Sequence, residues 1–156
     1  MRVPNKSLLY TIFSSKDMLV SLVDVTESMW PITDKNIECL HELIVRSTSA
    51  YFGHDEYLST CDKVANLLYV IAKNHDFENG NKRTAIVVVH MTLMVNNLLL
   101  VMDADDLYDM VIMVVQSASK DKGRIVNYIS REISKHIEDM GKPFSDKVLE
   151  KISETV

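Results

Sequence analysis

Apolar residues recur at helical spacing through most of the chain. Val64, Leu67, Leu68 and Ile71 follow the i, i+3, i+4, i+7 pattern of a half-buried helix. Ile37, Leu40, Leu43 and Ile44 line one face of an earlier segment in the same way. Each stripe has a capping residue ahead of it: Ser59 or Thr60 for the first, Thr33 for the second. Ser14 or Ser15 caps an expected helix over 16–29, which the Trp30-Pro31 step ends. Residues 50–58 lose the period and contain a glycine, so they read as a loop or small hairpin.

The helix carrying Val64 should stop near Lys73-Asn74, and another should run from about Asn81 to Val95. Leu98 to Met102 looks extended. Asp103 or Asp105 then caps a helix over 107–116, and 117–123 is a polar loop. A further helix is expected over 124–140, with Gly141 and Pro143 marking its end. Ser145 caps a short last helix over 147–153. The expected fold is all-α, with at most one small hairpin, and 1–156 reads as a single domain.

Composition narrows the class. The chain has 156 residues, 47% of them hydrophobic and 25% charged, which is enough to bury a real core. A net charge of -5 and a pI near 5.5 exclude a broadly basic nucleic-acid surface. Cys39 and Cys61 have neither CxxC nor zinc-ligand spacing, and read as reduced, partly buried thiols of a cytoplasmic protein. The apolar run 86–102 is broken by His90, Thr92, Asn96 and Asn97, so it falls short of the ~18–20 residues of a membrane span. The N-terminal stretch has no sustained signal-peptide h-region.

One stretch carries chemistry. Residues 75–85 read HDFENGNKRTA, directly before the apolar Ile86-Val87-Val88-Val89. Gly80 to Arg83 fall at a helix start, where unpaired N–H groups and roughly half a positive elementary charge favour an anion. Gly80 has no Cβ, so its backbone can approach a ligand closely. Lys82 and Arg83 each oppose the helix dipole by ~0.3–1 kcal/mol when exposed, a penalty that a bound polyphosphate would offset. His75, with an ordinary pKa near 6.5, can take a proton from an attacking hydroxyl at neutral pH. Phe77 fits an anchor for the loop. The residues alone leave two readings open: transfer of a phosphate-containing group to a hydroxyl, or a surface loop with incidental cations.

The stretch resembles the Fic/Doc family signature, His-x-Phe-x-(Asp/Glu)-Gly-Asn-x-Arg. The likeness is greatest to its Doc (death on curing) branch, where the run reads Asn-Lys-Arg-Thr. His75, Phe77, Gly80, Asn81, Lys82, Arg83 and Thr84 match, seven specified positions within ten residues. The resemblance extends over about 51–116. It takes in Tyr51-Phe52-Gly53, the helix from Asp62 to Tyr69 and the aspartates at 103, 105 and 106.

The resemblance implies a helical Fic/Doc-like domain with a small β-hairpin flap. His75 would be the general base and Arg83 the catalytic arginine on the transferring or adjacent phosphate. Gly80, Asn81, Lys82, Arg83 and Thr84 would hold the nucleotide phosphates. Tyr51, Phe52, Gly53, His54, Asp55, Glu56, Tyr57 and Leu58 would form the flap that aligns the target segment. The family's Mg²⁺ position falls on Asn79, where a neutral amide replaces the usual Asp or Glu; Glu78 is adjacent but is not an automatic substitute.

With lysine rather than glycine at position 82, the resemblance favours a toxin-type transferase moving a phosphoryl group from ATP to a protein hydroxyl. AMP transfer to a protein is the alternative, as is a nucleotide- or protein-binding module of weak turnover. Elongation factor Tu, the target of the Doc toxin, becomes a candidate target. The inhibitory pattern (Ser/Thr)-x-x-x-Glu-(Gly/Asn) has no counterpart here, which fits restraint by a separate antitoxin. Neither nucleic acid nor membrane is an implied partner.

The remaining candidates have simpler explanations. His90, within the apolar helix, fits a core hydrogen-bonding histidine. His41, His54 and His136 have no ligand-like neighbours in sequence, and the nine methionines are mostly core filler. Asp103, Asp105 and Asp106 fit helix capping better than a metal cluster.

Overall fold

The computed structural model describes residues 1–23, 30–49, 59–74 and 80–156. Its helices are α1 (Lys6–Ser14), α2 (Lys16–Leu22), α3 (Asp34–Thr48), α4 (Thr60–Lys73), α5 (Asn81–Val95), α6 (Ala104–Gln116), α7 (Lys122–Lys135) and α8 (Asp146–Ile152). A single 3₁₀ turn, Ser119–Asp121, leads into α7. Four three-residue strands complete the described elements: β1 (Arg2–Pro4), β2 (Leu98–Leu100), β3 (Ile137–Asp139) and β4 (Ser153–Thr155). The fold is all-α, and among the described residues the strands form only short antiparallel pairs.

The caps lie where the sequence puts them. The Ser15, Thr33, Asp103 and Ser145 side chains each accept a backbone N–H from the first turn of the helix that follows. Ser59 and Asp62 form a reciprocal capping box at the start of α4, with Asp62 N donating to Ser59 Oγ over 3.0 Å. Asp62 also ties two helices together, because Ser130 on α7 donates to its Oδ1 at 2.6 Å. The Ser130 hydroxyl, with help from Ser59, holds the Asp62 carboxyl below its ordinary pKa. A depressed carboxylate pKa contributes stability that is present above the unfolded value and lost as pH falls through the folded one. Acid titration of the fold should therefore lose part of its slope in Asp62→Asn; an identical acid-unfolding curve would remove Asp62 from this role.

The core is organised around α4 and α5. Val64, Leu67, Leu68 and Ile71 of α4 are fully buried, as the stripe requires. Helix α5 is enclosed much more widely, with Ala85, Val87, Val88, Val89 and Leu93 all without exposed surface. A helix that is apolar nearly all round belongs in the middle of its neighbours. It packs on α4, α6, β1 and β2, and α4 packs in turn on α3 and α7. Among the described residues no helix is long and apolar enough to cross a membrane.

The far end of α5 is locked by its two asparagines. Asn96 Oδ1 accepts from Arg2 N at 3.0 Å, and Asn96 Nδ2 donates to Arg2 O and Thr92 O, each at 2.7 Å. Asn97 takes a left-handed backbone at φ 61° and its Oδ1 accepts from Phe144 N at 3.0 Å. The β1–β4 ladder pairs Arg2 with Thr155, Val3 with Glu154 and Pro4 with Ser153. The β2–β3 ladder pairs Leu98 with Asp139 and Leu100 with Ile137.

Several segments differ from expectation. Strand β1 and helix α1 occupy the N-terminal stretch for which no element was predicted. The last long helix ends at Lys135 instead of 140, because Ile137–Asp139 leaves it to pair with Leu98–Leu100. Helix α2 ends at Leu22, and 24–29 lie outside the described residues. The expected hairpin at 50–58 also lies outside them. Cys39 is exposed instead of partly buried, and Cys61 is half-buried.

Candidate functional site

The first turn of α5 is built for an anion. Gly80 sits at its N-cap with φ 79° and ψ 13°, a left-handed conformation that glycine adopts without steric cost. Gly80 has no side chain to place over the helix end, so no side-chain cap forms there. Its carbonyl accepts from Thr84 N at 2.8 Å, closing the first helical turn over Asn81, Lys82 and Arg83. That turn holds no acidic residue. The dipole of a 15-residue helix and two cationic side chains therefore add at one place, with no carboxylate on the turn to cancel them.

Thr84 faces the other way. It is fully buried, and its Oγ1 accepts a hydrogen bond from Trp30 Nε1 at 2.8 Å. The Trp30 ring packs against Phe13 with centroids 5.0 Å apart at 39°. An indole N–H buried with a hydroxyl partner satisfies both polar groups while the rings fill the core. The first turn of α5 is thus fixed from behind by Trp30, through Thr84. In the sequence Trp30 stands only as the end of a helix. Its pairing partner is 54 residues away, and no local pattern announces it.

A cavity of about 460 Å³ opens beside the same turn. Arg83, Ile86 and His90 reach it from one face of α5, at i, i+3 and i+7. Val23 and Leu107 join Ile86 as its buried apolar floor. Ser21, Asp105 and Tyr108 stand at its exposed rim. His90 is half-buried, and burial pulls its imidazole below the ordinary pKa of 6.5, so it is neutral at pH 7. The sequence reading of His90 as a core residue thus misses its place on the cavity wall; the i, i+7 spacing from Arg83 was the available signal.

The other site residues from the sequence stand as follows. Gly80, Asn81, Lys82 and Arg83 come together on the first turn of α5. His75, Asn79 and the flap at 51–58 lie outside the described residues. Among the described residues, no group of three His, Cys, Asp or Glu side chains is placed to hold a metal ion. Asp105 and Asp106 lie in the first turn of α6, and the Asp103 side chain accepts from Asp105 N at 2.9 Å, the capping role expected for this cluster.

Comparison with known proteins bears directly on this helix start. A family model described as the Fic/DOC family matches residues 13–93, more than half of the chain, and takes in α2, α3, α4 and most of α5 with the whole motif. The chain belongs to the Fic/DOC family. It is also 36% identical over 66 residues to the Toxin Doc of Mycolicibacterium smegmatis, a match covering 42% of this chain and 51% of that protein. The chain thus spans about half the length of the curated relative it matches. No solved structure matches. In this Fic/DOC chain the motif's second half is the start of α5, and the motif's threonine is the residue bonded to Trp30.

Proposed function

We propose that this chain is a toxin-type transferase that moves a phosphoryl group from ATP to a protein hydroxyl. The observation that carries the proposal is the first turn of α5: a left-handed glycine, no side-chain cap, no acid, and Lys82 next to Arg83. Such a turn binds a polyphosphate and stabilises the charge that develops on a phosphoryl group in transfer. His75, five residues before Gly80, takes the proton of the target hydroxyl. The freed oxygen attacks the γ-phosphorus, the bond from that phosphorus to the β,γ-bridging oxygen breaks, and ADP departs. Lys82, in the position where lysine marks the Doc branch, favours this direction of transfer, and the similarity to a protein named Toxin Doc supports the toxin reading. A target protein and a separate antitoxin are part of the same proposal, with elongation factor Tu the first target to test.

Mg²⁺ does not fit the described donor set, because these residues assemble no carboxylate site and the family's metal position falls on an amide, Asn79.

Incubation of the protein with target and ATP labelled at the γ or the α position tests the reaction. Label should pass to protein from the γ position alone, and His75→Ala should abolish it. Transfer from the α position alone would establish AMP transfer instead. The amide at Asn79 favours a second reading, a nucleotide-binding module without turnover. Tight ATP binding with no labelled protein from either position would establish that reading.

A further inference from the structure

We infer that the cations gathered at the C-terminus of α4 form a docking patch for an acidic segment of the target protein, beside the motif loop. The inference rests on the reading of this chain as a protein-modifying transferase, and it names the chemistry that the target must present. Lys73 closes α4, and the proposed base His75 follows two residues later in the chain. Residues 75–79 alone separate Asn74, the C-cap of α4, from Gly80, so these two helix ends lie at most about 22 Å apart. The turn Ser119–Asp121 and the first turn of α7 come to the same place. Lys73 Nζ donates to Ser117 O, and Lys122 of α7 reaches the Tyr69 ring of α4.

Two of these cations are held in place. Lys73 Nζ stands 5.8 Å and Lys122 Nζ 5.6 Å from the centroid of the buried Tyr69 ring, so a single ring orients both ammonium groups. An ammonium has three donors, and the bond to Ser117 O uses one of those on Lys73. Lys120 and Arg124 are exposed on either side of Lys122. Within 116–124 the sole carboxylate is Asp121, which already faces Arg124 at 3.5 Å. The run therefore keeps an excess of positive charge on a chain whose net charge is -5. Cations fixed in advance lose little freedom on pairing, and the guanidinium fork of Arg124 fits a carboxylate bidentately. A few separate cations suit Asp and Glu side chains along a short peptide segment. They suit a nucleic acid less well, because the acidic remainder of the chain repels its continuous charge. With Lys73 two residues from His75, the acceptor hydroxyl of the target should lie within a few residues of its Asp or Glu side chains.

The test separates this patch from the phosphate site. Fluorescence anisotropy on the full chain compares a labelled peptide of alternating Glu and Ser with its Lys and Ser counterpart and with an oligouridylate of equal length. The acidic peptide should bind, more weakly as salt rises, and the basic peptide should not. Lys120→Glu with Arg124→Glu reverses two exposed charges and should weaken the acidic peptide by about tenfold or more. Lys120→Gln with Arg124→Gln should fall between that variant and wild type. Calorimetric titration with inorganic tripolyphosphate should give the reversed variant the wild-type affinity within about twofold, because the first turn of α5 is untouched. An acidic peptide bound equally by wild type and the reversed variant, or by neither, would overturn the inference. Tighter binding of the oligouridylate than of the acidic peptide would overturn it in favour of a nucleic-acid surface. Failure of wild-type protein to bind tripolyphosphate, with the charge reversal still weakening the peptide, would overturn the phosphate reading and leave the patch standing.

Discussion

Arg83→Ala is expected to lower phosphoryl transfer by about 10²–10³-fold, mostly in kcat. The side chain starts from the first turn of α5, where the phosphates are proposed to lie. A fixed cation there acts on charge that grows as the bridging bond breaks, so its value is realised in the transition state more than in binding. Arg83→Lys keeps the charge but loses the planar fork of donors, and should recover only a small part of the rate. Steady-state kinetics on purified variants check both statements. A KM effect with unchanged kcat would assign Arg83 to ground-state binding instead.

Trp30 carries the second large effect. Trp30→Phe leaves the Thr84 hydroxyl buried without its 2.8 Å donor, which costs about 1–3 kcal/mol. Thr84→Val removes the hydroxyl that accepts from the indole N–H. The double variant removes both polar partners, so its loss should be smaller than the sum of the single losses. Urea denaturation of the four proteins measures this coupling directly. Strict additivity would show that the bond contributes nothing of its own. Because Thr84 begins the second turn of α5, the single variants should also weaken tripolyphosphate binding, although both residues are buried.

Much of the helical frame could be read from the chain. The stripes of α3 and α4 match their buried faces, and Thr33, Ser59, Asp103 and Ser145 cap where expected. What escaped has physical reasons. Leu98–Leu100 falls within the stretch that looked extended, but β1, β3 and β4 are too short to show alternation, and they find their partners far away in sequence, Arg2 with Thr155 and Ile137 with Leu100. Ile137 continues the spacing of Ile125, Ile129 and Ile133, so the helical period runs past the point where the backbone leaves the helix. Helix α1 has only nine residues, and its Asn5 cap follows a proline that reads locally as a break.

The site divides in a similar way. A glycine and two cations at the head of an apolar run are a local signal, and Gly80 to Arg83 hold the places that it gave them. The place of His90 depends on α2, α5 and α6 lining one cavity, and that of Trp30 on Phe13 and Thr84 meeting it in space, which no short window of sequence contains. His75, Asn79 and the flap at 51–58 lie outside the described residues, so their chemistry rests on the motif alone.

The β1–β4 clasp has a mechanical consequence. Its strands run antiparallel, with Arg2 opposite Thr155 and Val156 N donating to Met1 O at 3.1 Å. Force drawn outward through these two segments meets the ladder bonds one after another, as in a zipper, instead of loading them together in shear. Asn96 reinforces the outermost of these pairs, holding Arg2 through both its N–H and its C=O. Beyond it lies α5, with Gly80 and its first turn at the opposite end, about 22 Å away along a 15-residue helix. A motor that threads the chain from either side would spend its first steps on weak, sequential bonds before it disturbs the packing of α5.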